Sequence, residues 1–178
     1  MAIIDKTYFF NEIGLPVGNL NVASTLEAFL IQYELEYLQK SMSYAFWKLF
    51  NEHLADTDGR WYGLLNGGEY YDAEGVLQRF EGLAKKGRTP IAPYVYYWFR
   101  RMYTTDTSSM GEDQGDVMNS GKISPHTKMV RGWNLCSEYT CKLWDFLRFA
   151  QDDNLERLFP EFDINTVNTK FFEPIPLI

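Results

Sequence analysis

The sequence predicts a mainly α-helical protein: a single helical-bundle domain at residues 23–159, with a long loop or hairpin insertion and an extended arm at each end. Three observations lead to this prediction. The chain has 178 residues, which suits one domain better than two. Apolar residues make up 46% of it and recur at helical spacing over several segments. Both ends are apolar but interrupted by glycine or proline, so neither end continues a helix.

Residues 1–22 are predicted to form the N-terminal arm. Gly14 and Gly18, with a proline between them, interrupt any helix in this segment. The same segment contains a strand-like aromatic run: Tyr8, Phe9 and Phe10. Because this run is apolar, we expect it to be covered either by the chain's own core or by a neighbouring molecule.

Three helices are predicted from periodicity and turn signals. Ser24, followed three residues later by Glu27, fits a capping box and predicts that the first helix begins there. Its inner face consists of apolar residues three and four apart: Leu26, Phe29, Leu30, Tyr33, Tyr37 and Leu38. A second helix is expected at about 42–54 and a short third helix at about 72–84, just before a basic turn.

Two further helices have stronger start signals, because each opens with a hydroxyl residue followed by proline. Thr89 and Pro90 begin the first, whose apolar stripe is the clearest in the chain: Ile91, Tyr94, Val95, Trp98, Phe99 and Met102. We interpret this stripe as core and not as a stacking platform for bases. Ser124 and Pro125 begin the second, whose packing seam is Met129, Trp133, Cys136, Thr140, Leu143, Leu147 and Ala150.

The segment between these two helices, residues 104–123, is rich in serine, glycine and aspartate and has no helical period. We expect it to project as a long loop or an open hairpin. From Pro160 the chain is again extended, and Pro174 and Pro176 exclude a helix near its end. Residues 160–178 are therefore predicted to form a second apolar arm.

The ionisable residues give little indication of catalysis. His53 and His126 belong to no metal-binding pattern such as H-E-x-x-H, and we interpret both as surface or helix-end residues. Cys136 lies on an apolar seam, which favours a small buried side chain over a nucleophile. Cys141 lies five residues further along the same helix, so a disulfide between the two is not expected. No catalytic, metal-binding or cofactor-binding residue is predicted.

Charge and hydropathy exclude two further classes of function. With 17 basic and 24 acidic residues the net charge is −7, so general binding to nucleic-acid phosphates is not expected. No segment approaches the roughly 20 apolar residues that cross a bilayer. Aromatic residues make up 17% of the chain, more than one core of this size needs, and part of the excess is expected at interfaces.

The order of elements resembles a known family. A helix start at Ile91-Ala-Pro-Tyr-Val-Tyr-Tyr is followed by Thr104-Thr-Asp-Thr and Gly111 in a long loop, and then by a closing helix from Ser124. This arrangement is similar to the head-to-tail adaptor (connector) proteins of tailed bacteriophages, including ring proteins of phages that infect gut Bacteroidota. The similarity covers residues 25–150 and rests on element order and not on a sharp motif.

The resemblance implies a structural virion protein without enzymatic activity or a cofactor. Such a protein forms a ring, often dodecameric, at the portal or neck, joins the head to the tail, and lines the DNA channel. Its partners would be further copies of itself, the portal protein, other neck or tail proteins, and double-stranded DNA that passes without sequence-specific binding. It would be assembled in the host cytoplasm, become part of the virion, and have no membrane partner.

Two sets of candidate interface residues follow as hypotheses from this resemblance. The arms would lace subunits together through Tyr8, Phe9, Phe10, Phe171, Phe172, Pro174, Ile175, Pro176 and Leu177. Four acidic loop residues would face the DNA channel or a neighbouring subunit, where their charge repels phosphate: Asp106, Glu112, Asp113 and Asp116. The alternative is a small monomeric protein-binding module, an inhibitor or regulator, whose loop grips a partner. An enzyme that depends on His53 or His126 ranks third.

Overall fold

The computed structural model describes residues 2–18, 20–103 and 125–176, and it confirms a mainly α-helical fold. Helices hold 59% of the described residues, and the described strands form one two-stranded sheet. The described residues form the α-helices α1 (Leu20–Met42), α2 (Tyr44–Glu52), α3 (Gly59–Asn66), α4 (Ile91–Tyr103) and α5 (Pro125–Phe149). The strands are β1 (Gly68–Tyr71) and β2 (Leu77–Phe80), and short 3-10 turns lie at Lys6–Tyr8, Asn11–Ile13, Ile164–Thr166 and Thr169–Phe172.

The core includes the inner faces of α1, α4 and α5, and the predicted stripes of the last two helices contribute to it. The Oγ1 of Thr89 accepts a hydrogen bond from the amide of Ile91 at 3.2 Å, which confirms the predicted cap of α4. From the α4 stripe, Ile91, Tyr94, Val95 and Phe99 are buried, whereas Met102 is 49% exposed. From the α5 seam, the buried residues are Trp133, Cys136, Thr140, Leu143, Leu147 and Ala150.

The first helix begins one turn earlier than its capping signal predicts. α1 already includes Leu20, and the Ser24 hydroxyl donates to the carbonyl of Asn21 at 3.1 Å instead of capping the helix. The capping box at Ser24 and Glu27 is therefore wrong. Ser43, which has a φ of +66°, separates α1 from α2. The second helix, predicted at about 42–54, is present at Tyr44–Glu52.

A β-hairpin replaces the short helix predicted at residues 72–84. β1 and β2 are antiparallel, with Gly68 opposite Phe80 and Tyr71 opposite Leu77. The carboxylate of Asp72 closes the turn by accepting the amides of Glu74 and Val76 at 3.0 and 2.9 Å. The prediction is wrong because this turn chemistry outweighs a weak helical period over few residues.

The N-terminal residues fold back onto the body of the same chain. Tyr8 is 8% and Phe9 4% exposed, and the Tyr8 hydroxyl donates to the carbonyl of Ala84 at 2.7 Å. Tyr8 and Phe9, which are predicted to bind a neighbouring subunit, are thus covered by the chain's own core and expose little surface for such a contact. Phe10, at 39% exposed, is the most accessible of the three aromatic residues.

The C-terminal residues are held on α5 in the same way, and we call residues 169–176 the C-terminal strap. Phe172 is 2% exposed, and the Trp133 indole N–H donates to the carbonyl of Glu173 at 2.9 Å. The Asn134 side chain donates to the carbonyl of Ile175 at 2.9 Å and accepts its amide at 2.7 Å. These bonds satisfy an otherwise unpaired backbone, and the predicted interface residues Phe171, Phe172 and Ile175 all pack on the chain's own core, Phe172 fully and the other two in part.

The remaining predicted site residues divide into two groups. Pro174 and Pro176 are exposed on the strap. Leu177 and the loop residues Asp106, Glu112, Asp113 and Asp116 lie outside the described residues. Among residues 2–18, 20–103 and 125–176, no helix combines the length and the apolar character needed to cross a bilayer.

Candidate interaction surfaces

His53 and Cys136 occupy structural positions. His53 stacks on Trp61 with ring centroids 5.1 Å apart, and its Nδ1 lies 3.0 Å from a carboxylate oxygen of Asp56. Cys136 is fully buried, and burial raises the pKa of its thiol well above the ordinary value, so it remains a protonated thiol. Over the part of the chain that the structure describes, no three His, Cys, Asp or Glu side chains are grouped to hold a metal ion.

The first candidate surface is an open groove of about 290 Å³, which we call the α1–α2 groove. It is lined by Ala2, Ile3, Ile31, Glu34, Leu35, Leu38, Trp47, Phe50, Asn51 and Leu54. Ile31 and Leu35 are one helical turn apart on α1 and are 77% and 42% exposed. Adjacent exposed aliphatic side chains beside an apolar groove are typical of a protein-binding surface.

A buried carboxylate forms part of this groove. Glu34 is 6% exposed, and its two oxygens accept the amides of Ile3 and Ile4 at 2.8 and 3.0 Å. Burial raises the pKa of Glu34, although the two amide hydrogen bonds oppose that shift. Glu34 therefore fixes the start of the described chain along the groove. The helical spacing of α1 does not reveal this contact, because the amides that Glu34 binds are 31 and 30 residues away in the sequence.

The raised pKa of Glu34 predicts a pH-dependent stability. Since the folded protein binds the Glu34 proton more tightly than the unfolded chain does, this group contributes stability below its ordinary pKa of 4.5. The contribution is lost as the pH rises through the higher pKa of the folded state. The contribution of Glu34 is measured by urea unfolding of the wild type and of Glu34→Gln across about pH 4 to 7. The free energy of unfolding of the wild type, relative to the variant, should fall as the pH rises; a constant or rising difference would contradict this account.

The second candidate surface is a larger and more polar groove of about 630 Å³ between the β-hairpin and α5, which we call the hairpin groove. Its lining is Tyr70, Asp72, Gln78, Arg79, Phe80, Glu81, Arg88, Tyr139, Lys142, Asp145 and Phe149. Phe80 stacks on Phe146 of α5 at 4.4 Å, and Tyr70 meets the same ring edge-on at 5.0 Å. These contacts turn one face of the hairpin towards α5 and set the width of the groove.

The structure therefore moves the candidate interaction surface from the arms to the helices and the hairpin. Ile31 and Leu35 are absent from the predicted site, although their spacing of four, outside the apolar face of α1, is a signal that could have found them. The hairpin groove has no such signal, because its walls come from segments about 60 residues apart in the sequence.

In its described residues the protein is mainly helical, and its surface includes the β-hairpin, the α1–α2 groove and the hairpin groove. No family model matches the chain, and neither a curated protein nor a solved structure matches it in the comparisons. Its function is therefore inferred from the surfaces themselves and from the family resemblance of the sequence.

Proposed function

We propose that this chain is a structural subunit of a ring at the neck of a tailed bacteriophage, where it joins the head to the tail around the DNA channel. The observation that best supports an assembly role is the α1–α2 groove with its exposed neighbours Ile31 and Leu35. Burying apolar surface of this kind contributes roughly 25 cal/mol per Å², and a stable interface needs about 800 Å² on each partner.

In this proposal the subunits are joined through helices and not through exchanged arms. In a closed ring the contact is head-to-tail, so the α1–α2 groove of one subunit meets a different surface of the next. The net charge of −7 suits a wall around DNA, because an acidic surface repels phosphate and lets the duplex slide.

The test is an assembly experiment with variants of the groove. We expect the full chain, alone or together with the portal and neck proteins encoded beside it, to form ring-shaped particles in negative-stain electron microscopy. Ile31→Asp places a charge in the contact and should weaken assembly at least about tenfold, measured by light scattering, while the exposed position keeps the subunit folded.

A matched control is available at Leu155, which is 62% exposed and is not among the residues that line the groove. Leu155→Asp should assemble like the wild type. Rings formed equally well by Ile31→Asp would exclude the groove as the contact. A chain that stays monomeric and binds none of these neighbouring proteins would contradict the ring function.

A small monomeric protein-binding module is the second candidate, and one observation favours it. Both described ends of the chain are held on its own body, by Glu34 at one end and by Asn134 at the other, which suits a self-contained subunit. In that case the α1–α2 groove would take an apolar helix of a single partner. Light scattering separates the two candidates, since a module gives a one-to-one complex and a ring protein gives a multiple of one subunit.

A further inference from the structure

Within the described part of the chain, β2 has a strand partner on one side only. The amide and carbonyl of Tyr71 bond to Gln151 at 3.4 and 2.8 Å, so they point away from β2. Along an antiparallel pair, opposite residues alternate between those that exchange backbone hydrogen bonds and those that do not. Tyr70 and Gln78 therefore bond to each other, whereas the next pair, Glu69 and Arg79, does not. The backbone N–H and C=O groups of Leu77 and Arg79 therefore point outwards, along the open edge of β2.

This edge runs beside the hairpin groove, whose charges are only partly paired. Arg79 lies 3.9 Å from Glu81 across the strand end, and Lys142 pairs with Glu138 along α5. The carboxylate of Asp72 is occupied by the turn that it closes. Two lining residues of opposite charge, Arg88 and Asp145, form no ion pair with any described residue.

A strand added to β2 would place alternate side chains in this groove. Residues opposite Leu77 and Arg79 would point to the face that those two side chains share, although Arg79 also contributes to the lining of the groove. Residues opposite Gln78 and Phe80 would point to the face that packs on α5, where Arg88 and Asp145 line the groove. Backbone bonds would then supply affinity, and the two charges would select the guest side chains.

We propose that the outer edge of β2 binds an extended peptide segment of a partner protein by strand addition. The segment carries an acidic and a basic side chain two residues apart, and these pair with Arg88 and Asp145. The proposal goes beyond the ring function and does not depend on it, because the hairpin groove shares no lining residue with the α1–α2 groove.

A second copy of β2 is a poorer occupant of this edge. Two-fold pairing centred on Arg79 would put two guanidinium groups directly opposite each other, which is unfavourable. Two-fold pairing centred on Gln78 would place the neutral residues Gln78 and Val76 of the second copy opposite Gln78 and Phe80 and leave Arg88 and Asp145 without partners. Charge complementarity therefore favours a peptide of mixed charge.

The test uses the full chain, labelled with nitrogen-15, and the synthetic probe acetyl-Thr-Val-Glu-Val-Lys-Val-Thr-amide together with its Glu/Lys-exchanged form, so that both orders of the two charges along an antiparallel guest strand are covered. We expect one of the two to bind below about 1 mM and to shift the backbone amide signals of Leu77 and Arg79. N-methylation of the central valine of the probe removes the backbone hydrogen bond that its N–H would donate to the carbonyl of Arg79. This change should weaken binding about tenfold, and the protein itself stays the same in both measurements.

The charge requirement is tested with Arg88→Glu, which should weaken binding of the same probe about tenfold. The control is Arg131→Glu, an exposed arginine of α5 outside the groove, which should bind the probe like the wild type. Binding that is indifferent to N-methylation would overturn strand addition. No binding of either probe at about 1 mM, or a dimer held by β2 in light scattering, would overturn the proposed occupant.

Discussion

Phe172→Ala should lower the free energy of unfolding by about 3–5 kcal/mol, the range expected for a buried phenylalanine. The side chain is 2% exposed and lies where α1, α4, α5 and the C-terminal strap meet. Five aromatic rings have centroids 5.0–6.2 Å from it: Tyr37, Tyr94, Trp133, Trp144 and Phe171. Truncation would leave a cavity that these rigid neighbours cannot fill, and urea unfolding followed by tryptophan fluorescence measures the loss.

Phe10→Ala is the matched control for this variant. It removes the same atoms from the other end of the chain, at a position that is 39% exposed, so a loss of about 1 kcal/mol is expected. If the two variants lost equal stability, Phe172 would not be a core residue, and its earlier assignment to an intersubunit contact would regain support.

The same contacts change how a loss of assembly after deletion of the C-terminal arm is interpreted. From the sequence alone, deleting residues 170–178 is expected to abolish assembly while the monomer keeps its helical signal. In the structure the deletion also removes Phe172 and the backbone groups that bond to Trp133 and Asn134. Loss of assembly after this deletion would therefore reflect unfolding, and substitutions in the α1–α2 groove are the more specific test.

The sequence is most informative where one helix buries one continuous stripe. In α4, the spacing from Ile91 to Phe99 and the Thr89 cap both agree with the structure, because local propensity and burial favour the same conformation. The hairpin is missed for the opposite reason. Its stability comes from the Asp72 turn and from the stacking of Phe80 on Phe146, a residue 66 positions later in the chain.

The candidate site is harder to predict from the sequence than the helices are. The apolar character of a segment does not show whether its own chain or another molecule covers it. The arms are correctly recognised as apolar and interrupted, but they pack on their own body through pairs such as Asn134 with Ile175, which are 41 residues apart. The contact of Glu34 is missed for the same reason, since only the folded chain brings the amides of Ile3 and Ile4 to a carboxylate on α1. The spacing of Ile31 and Leu35 outside the apolar face of α1 is visible in the sequence, but the groove beside them is recognised only in the folded chain.

The junction between α3 and the hairpin depends on two glycines in direct backbone contact. Gly67 and Gly82 have φ values of +89° and +90°. The following residues bond to the end of α3, with the amides of Leu83 and Ala84 donating to the carbonyls of Leu64 and Leu65 at 3.1 and 2.7 Å. A β-carbon on Gly82 would lie 2.3 Å from the amide nitrogen of Gly67, which leaves no room for a side chain.

Gly82→Ala should therefore lower the free energy of unfolding by about 3–5 kcal/mol, combining the strain of a positive φ with a backbone clash. Gly75→Ala separates the two causes, because Gly75 has a φ of +75° but open space around its missing β-carbon. That control should cost only about 1–2 kcal/mol. Urea unfolding measures both losses. Equal losses would mean that the approach of the hairpin to α3 is loose, and the hairpin groove would then lack the rigid wall that binding of a peptide requires.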